Sequence, residues 1–305
     1  VIKWLAQCVL ALGLLTGQQA NAGEARLALS GLEYPEGVFL HEGTLYFTEM
    51  DADRVMASAS GAAFAQVWSR PGCGPTSISA LGAGRFLITC HLGGGLAIWD
   101  ASGNTTEVVS ASRSGRLIVQ PNDSIGDGEG GAFFGDSGMF APNAEHEGRV
   151  YHYAPSGVSE IAYGVAYANG VTYDPGTQTL YVSAHLGRQI LKISDPLNPQ
   201  TRKVSVFWDY AEKPCSKTGS DRWLFGPDGL ELRPGGGLFV AMYGGDAVYE
   251  IDAGGSCAAV HSVGAPLVTS TALDAAKNVL WIVGSGLITE KSVKGGLFEL
   301  PFTAR

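Results

Sequence analysis

Four oxygen-bearing side chains occupy the same place in a phrase that recurs along this 305-residue chain: Glu36, Asn122, Asn169 and Asp228. They stand in Pro35-Glu36-Gly37, Pro121-Asn122-Asp123, Ala168-Asn169-Gly170 and Pro227-Asp228-Gly229. Two further copies, Pro75-Thr76-Ser77 and Val268-Thr269-Ser270, place a threonine there. Any one of these tripeptides reads as an ordinary turn. Two carboxylates and two carboxamides converging on one point would do more. Buried together, the acids repel and resist ionisation. A divalent cation removes that penalty, and amide carbonyls complete an oxygen-only shell. Donors without histidine or cysteine suit Ca²⁺ first, then Mg²⁺ or Mn²⁺, with Zn²⁺ behind them. The expected metal set is therefore Glu36, Asn122, Asn169 and Asp228.

A partly open cation of this kind polarises an ester or lactone carbonyl, and water attacks with the help of a base. Asp228 is the first candidate base. His91 and His185 come next, because each ends an equivalent strand (Phe86–His91, Leu180–His185) and each precedes Leu-Gly. An imidazole titrates in the useful range. Tyr243 and Ser285 hold the corresponding place in the last two copies, and Tyr243 is expected to face substrate. No Gly-x-Ser-x-Gly elbow or phosphate-cradling glycine loop is present, so serine-nucleophile and nucleotide chemistry lack support.

The elements that would position these residues are strands. Each opening leads into a glycine-bearing turn and a strongly β-forming run such as Leu45–Met50, Leu180–His185 or Leu280–Ser285. Long 3.6-residue apolar periodicity is almost absent. The intervals between the middle residues of the six openings are 40, 46, 47, 59 and 41. Repeats of that size carrying several strands predict propeller blades, which bury both faces only when the ring closes. The expected fold is all-β, one six-bladed β-propeller over residues 23–305. Its 43 glycines and 16% charged residues agree with a turn-rich, apolar β protein.

Residues 1–22 read as a cleavable export signal. A lysine precedes an apolar run from Trp4 to Leu15, and Ala20-Asn21-Ala22 stands before Gly23. That run is shorter than a bilayer span, so a periplasmic or secreted protein without a membrane span is expected. In that setting Cys73, Cys90, Cys215 and Cys257 allow two disulfides in three pairings. Cys73–Cys90 and Cys215–Cys257 are the most local pairing, and four free thiols remain the other reading. A net charge of −9 argues against nucleic-acid partners. A monomer is expected.

The ordered set of openings resembles the senescence-marker-protein, gluconolactonase and luciferin-regenerating-enzyme family of six-bladed propellers, and more distantly diisopropyl fluorophosphatase. The resemblance runs from about Leu32 to Leu300. It implies that Glu36, Asn169 and Asp228 are metal ligands and that Asn122 touches metal or substrate. It also places the general base at Asp228 and an acidic substrate-side residue at Asp136. In several sugar-lactonase members an arginine precedes the third-repeat asparagine by two residues; here Gln120 stands there. The expectation is thus an exported, divalent-metal-dependent hydrolase of a small-molecule lactone, with Asn122, Gln120, Asp136 and Tyr243 at the substrate. Two alternatives stay open: a phosphotriester or other ester hydrolase on the same metal, and a non-catalytic binding propeller with a structural metal.

Overall fold

The computed structural model describes residues 23–286 and 294–302; the expected signal at 1–22 lies outside the described residues. Each repeat opens on a strand that starts at or beside its motif: Pro35–His41, Pro75–Gly82, Pro121–Gly126, Ala168–Asp174, Gly226–Leu232 and Leu267–Asp274. Glycine or asparagine turns reverse the chain into a second strand: Thr44–Glu49, Arg85–Cys90, Ala132–Asp136, Thr179–Ala184, Leu238–Tyr243 and Val279–Ser285. A third and a fourth antiparallel strand follow on the outside. The first four repeats each make a separate four-stranded sheet. The last two share one eight-stranded sheet, joined by the single pair Tyr243 and Leu267.

The opening strands pack side by side in cyclic order, and Leu267–Asp274 packs against Pro35–His41. The outermost strand of the last repeat comes from the start of the chain, where Arg26–Glu33 pairs antiparallel with Lys294–Pro301. The result is an all-β, propeller-like ring. Among the described residues the only helical element is a 3₁₀ turn at Met50–Ala52, and no helix is long and apolar enough to cross a membrane.

The core lies between neighbouring sheets, because alternation along each strand gives it two apolar faces. Phe133 of the third repeat packs with Val171, Leu180 and Val182 of the fourth. Trp208 and Ile190 of the fourth pack with Val240 and Tyr249 of the fifth. Each wholly buried side chain of this size contributes about 1.5–3 kcal/mol, and no single sheet could supply the partners. Trp68, Trp99, Trp208 and Trp281 are all buried in these layers.

The local cysteine pairing is the one formed. Cys73 joins Cys90 and Cys215 joins Cys257, with Cα separations of 4.5 and 5.4 Å. Disulfides of this kind persist in oxidising compartments.

Candidate functional site

Every opening strand is irregular where its motif falls. Antiparallel register with the second strand breaks between Pro35 and Val38, Pro121 and Ser124, Ala168 and Val171, and Pro227 and Leu230. These are the four repeats that carry Glu36, Asn122, Asn169 and Asp228. In the two threonine repeats the break is one residue shorter, between Pro75 and Ser77 and between Val268 and Ser270. A bulge re-aims side chains and ends regular pairing, and here it frees the donor position from the ladder.

The glycine after three of the donors has a packing reason. A Cβ on Gly37 would stand 2.5 Å from the Thr76 carbonyl oxygen, and one on Gly229 would stand 2.7 Å from that of Thr269. On Gly170 it would fall closer still to the carbonyl of Asp228. Neighbouring opening strands can approach only where no side chain intervenes. In the third repeat Asp123 takes that place and uses it, accepting from the Val171 amide at 2.9 Å.

The ends of the second strands clamp the next opening. His91 Nδ1 lies 3.2 Å from the carbonyl of Pro121, Ser137 Oγ donates to that of Ala168 at 2.8 Å, and His185 Nδ1 lies 3.1 Å from that of Pro227. The residue held in each case directly precedes Asn122, Asn169 or Asp228. Ser137 also accepts from Asn122 Nδ2 at 3.2 Å, leaving the amide oxygen as the atom open to a ligand. Thr76 donates to the Asn122 carbonyl at 3.0 Å and Thr269 to that of Pro35 at 3.1 Å. The threonines thus hold donor strands without being donors themselves.

Glu36, Asn122, Asn169 and Asp228 all line one cavity of about 230 Å³, together with His91, His185 and Tyr243. Asn122, Asn169 and Asp228 are buried. Burial, and next the charge of Asp123, push the Glu36 carboxyl up to about 8, against hydrogen bonding from Tyr34. Asp228 is held well above the usual carboxylate range by burial and then by Glu36 and Asp123; the Asn169 side chain and the Gly229 backbone oppose this. Burial pushes Asp123 up to about 6. Three acids share one low-dielectric region, and among the described residues no lysine or arginine lines the cavity, so the site lacks a fixed positive charge.

Two expectations meet a different geometry. Gln120 and Asp136 line a second cavity of about 420 Å³ outside the central one. Asp136 is engaged by backbone, accepting from Gln120 at 2.7 Å and from Val119 at 3.3 Å. His185 has both ring nitrogens beside carbonyls, Pro227 at 3.1 Å and Leu224 at 3.0 Å. Burial pulls it down to about 4, so it is neutral, donates its single N–H to one of the two carbonyls and acts as a strut. His91 has only its Nδ1 engaged, and burial lowers it as well.

The cavity holds residues that motif reading missed. Tyr34 and Tyr167 each sit one residue before an opening, with φ of 50° and 63°. Left-handed backbone at a bulky residue is rare, and the matched pair points their rings into the cavity. Their shared place before Pro35 and Ala168 was the available signal. Phe140 arrives from the loop between Asp136 and Gly148 and meets Tyr167 at 4.9 Å, Trp223 at 4.9 Å and His185 at 5.4 Å with its ring tilted or edge-on. No local pattern marks it. Trp223 is exposed and packs on Phe140, whereas Phe225 is core.

The donor set fits a hard divalent cation. Asn169 Oδ1 is buried with no hydrogen-bond partner among the described residues, a costly state unless something positive meets it. Among the described residues no group of three or more His, Cys, Asp or Glu is assembled for a metal. Two acids with two amides is a calcium-type, oxygen-only combination of another kind.

Fold and site together define a propeller-like β protein with an acidic, oxygen-lined axial cavity. The chain belongs to the SMP-30/gluconolactonase/LRE-like family, which matches residues 34–285. It is 27% identical over 189 residues to lactonase drp35 of Staphylococcus saprophyticus, covering 60% of this chain and 54% of that one. The chain thus spans about half the length of that curated relative. Its fold is similar to a luciferin-regenerating enzyme (TM-score 0.70, 18% identity, 93% of this chain and 98% of that one). A gluconolactonase from Xanthomonas campestris gives 0.69 with 20% identity, 93% and 97% covered. Regucalcin from Agrobacterium tumefaciens, a calcium-binding protein, gives 0.67 with 17% identity, 92% and 96% covered.

Proposed function

We propose that this chain is an exported, six-bladed propeller hydrolase that opens a lactone with the help of one divalent cation, Ca²⁺ foremost. The observation that carries the reading is the orphaned, buried Asn169 Oδ1 in the same cavity as Glu36, Asn122 and Asp228. Counting the eight-stranded sheet as two blades about the pair Tyr243 and Leu267 supports the count of six. The relative named a lactonase and the gluconolactonase fold favour a cyclic ester over a phosphotriester. The two disulfides support an oxidising compartment.

When bound, the cation offsets the paired acids and acts as a Lewis acid toward the carbonyl. Glu36, Asn122, Asn169 and Asp228 would hold it. Asp228 Oδ accepts the proton of the attacking water, and Asn169 keeps that carboxylate oriented. As the ring C–O bond breaks, the same proton passes to the departing ring oxygen, so lactone plus water becomes one hydroxy acid. His91 and His185 keep the strands of Asn122 and Asp228 in place rather than taking the proton.

Calcium titration by calorimetry and lactone opening in a pH-stat, each with and without chelator, test this. Glu36→Gln and Asp228→Asn should each cut both Ca²⁺ affinity and turnover at least tenfold. Tight Ca²⁺ binding with no ring opening across a lactone panel would instead make the protein a binding propeller.

A further inference from the structure

We infer that the lactone this site takes is an apolar one carrying an alkyl or aryl substituent, not a polyhydroxylated sugar lactone; the inference rests on the hydrolase reading above. A sugar lactone brings several hydroxyls that each need a partner once dehydrated. In the central cavity most polar groups outside the donor set are spent on the protein, while His91 Nε2 stays open. The Tyr34 and Tyr243 hydroxyls pair with each other, and both ring nitrogens of His185 face backbone carbonyls, one of them taking its N–H. Thr76 bonds Thr89 and the Asn122 carbonyl. Among the described residues no lysine or arginine lines the cavity. Its remaining wall is apolar: Met50, Leu92, Phe140 and the tyrosine rings.

Outward the lining is mixed: Arg116, Arg149, Asp136 and Glu147 line the second cavity beside apolar side chains. Phe140 lines the central cavity, and the preceding residue, Met139, lines the second one. The loop carrying both is the partition between the two spaces. Around the second cavity Leu117, Val119, Met139 and Tyr163 are 60–64% exposed, and Leu92 at the central mouth is 63% exposed. Among the described residues these five make up nearly half of the eleven exposed large apolar side chains, a concentration that offers a ligand apolar footing. A space of about 230 Å³ holds a lactone ring with a short substituent. A longer chain would leave past Leu92 and Met139 along the exposed Val119 and Tyr163 side chains.

The experiment compares kcat/KM of the Ca²⁺-loaded protein for γ-butyrolactone, γ-valerolactone, γ-nonalactone and glucono-1,5-lactone, with Ca²⁺ occupancy measured separately by calorimetry. Burying each methylene should raise kcat/KM about threefold to fourfold until the chain meets water. Glucono-1,5-lactone should lie at least about tenfold below γ-valerolactone, as expected where buried polar groups go unmatched. Phe140→Ser should lower the γ-nonalactone value about tenfold and flatten the chain-length trend, and Met139→Ser should flatten its upper part. A flat trend, or a sugar lactone opened as fast as the alkyl ones, overturns this inference and leaves the hydrolase standing. A loaded protein that opens none of the four overturns both.

Discussion

Tyr34 and Tyr243 meet hydroxyl to hydroxyl at 2.9 Å inside the central cavity, although 209 residues separate them. Tyr34 also hydrogen-bonds Glu36, so a chain of contacts runs from the fifth repeat through the first to a carboxylate. Burial above all raises both phenols, and they remain protonated donors wherever the fold is stable. Tyr34 has one proton to give, and with the Glu36 carboxylate taking it, Tyr243 donates to Tyr34.

That order predicts unequal effects on metal binding. Tyr34→Phe removes a hydrogen bond to a charged group, worth about 1.5–3 kcal/mol, and should weaken Ca²⁺ binding about tenfold to hundredfold. Tyr243→Phe leaves the Tyr34 to Glu36 contact in place and should cost no more than about fivefold. Calorimetric titration of both variants decides it, and equal losses would refute the order.

The position of His185 predicts a strut, and its titration has a definite sign. Its folded pKa, about 4, lies below the unfolded value near 6.5. The unfolded chain therefore binds more protons, and stability is full above about pH 6.5 and falls as pH drops toward 4. Thermal melts across that window should show the loss, and His185→Asn should show less of it. Because the ring holds the carbonyl before Asp228, His185→Ala should lower Ca²⁺ affinity as well as turnover. Loss of turnover with normal Ca²⁺ affinity would return the histidine to the role of base.

Cys73–Cys90 fastens the segment before Pro75-Thr76 to the end of the second strand of its repeat. A closed loop of this span, 17 residues apart in sequence, is worth about 3 kcal/mol in chain entropy, and the 42-residue separation of Cys215–Cys257 about 4. Replacing either pair by serine should lower the urea midpoint, the second pair more. Cys73 and Cys90 replaced together should also weaken Ca²⁺ binding about twofold to threefold, since Thr76 positions Asn122. An unchanged midpoint in both double variants would show that neither bond constrains the unfolded chain.

The repeat was legible before any coordinates because its causes are local. Alternating runs such as Leu180–Ala184 and the turns between them depend on neighbours a few residues away, so strands and repeat intervals could be read directly, whereas the cysteine pairing stayed open until the structure. So could the six opening positions, where Glu36, Asn122, Asn169 and Asp228 differ in type from Thr76 and Thr269. Gln120 and Asp136 show the limit. They lie near Asn122 in sequence or across the ladder, yet the break between Pro121 and Ser124 separates them into another cavity. A shift of one residue moves a side chain to the opposite face, and no propensity encodes where the shift falls.

Sequence alone determined the strands, the repeat and the kinds of donor available, because backbone preference and side-chain chemistry are properties of short stretches. Only the tertiary structure decided that four donors share one cavity, that Tyr34 finds Tyr243, that Phe140 crosses from its loop to the fourth and fifth repeats, and that His185 is spent on carbonyls. Those outcomes require the ring to close through Arg26–Glu33 on Lys294–Pro301. Closure sets distances between residues hundreds of positions apart, through packing that no single repeat contains.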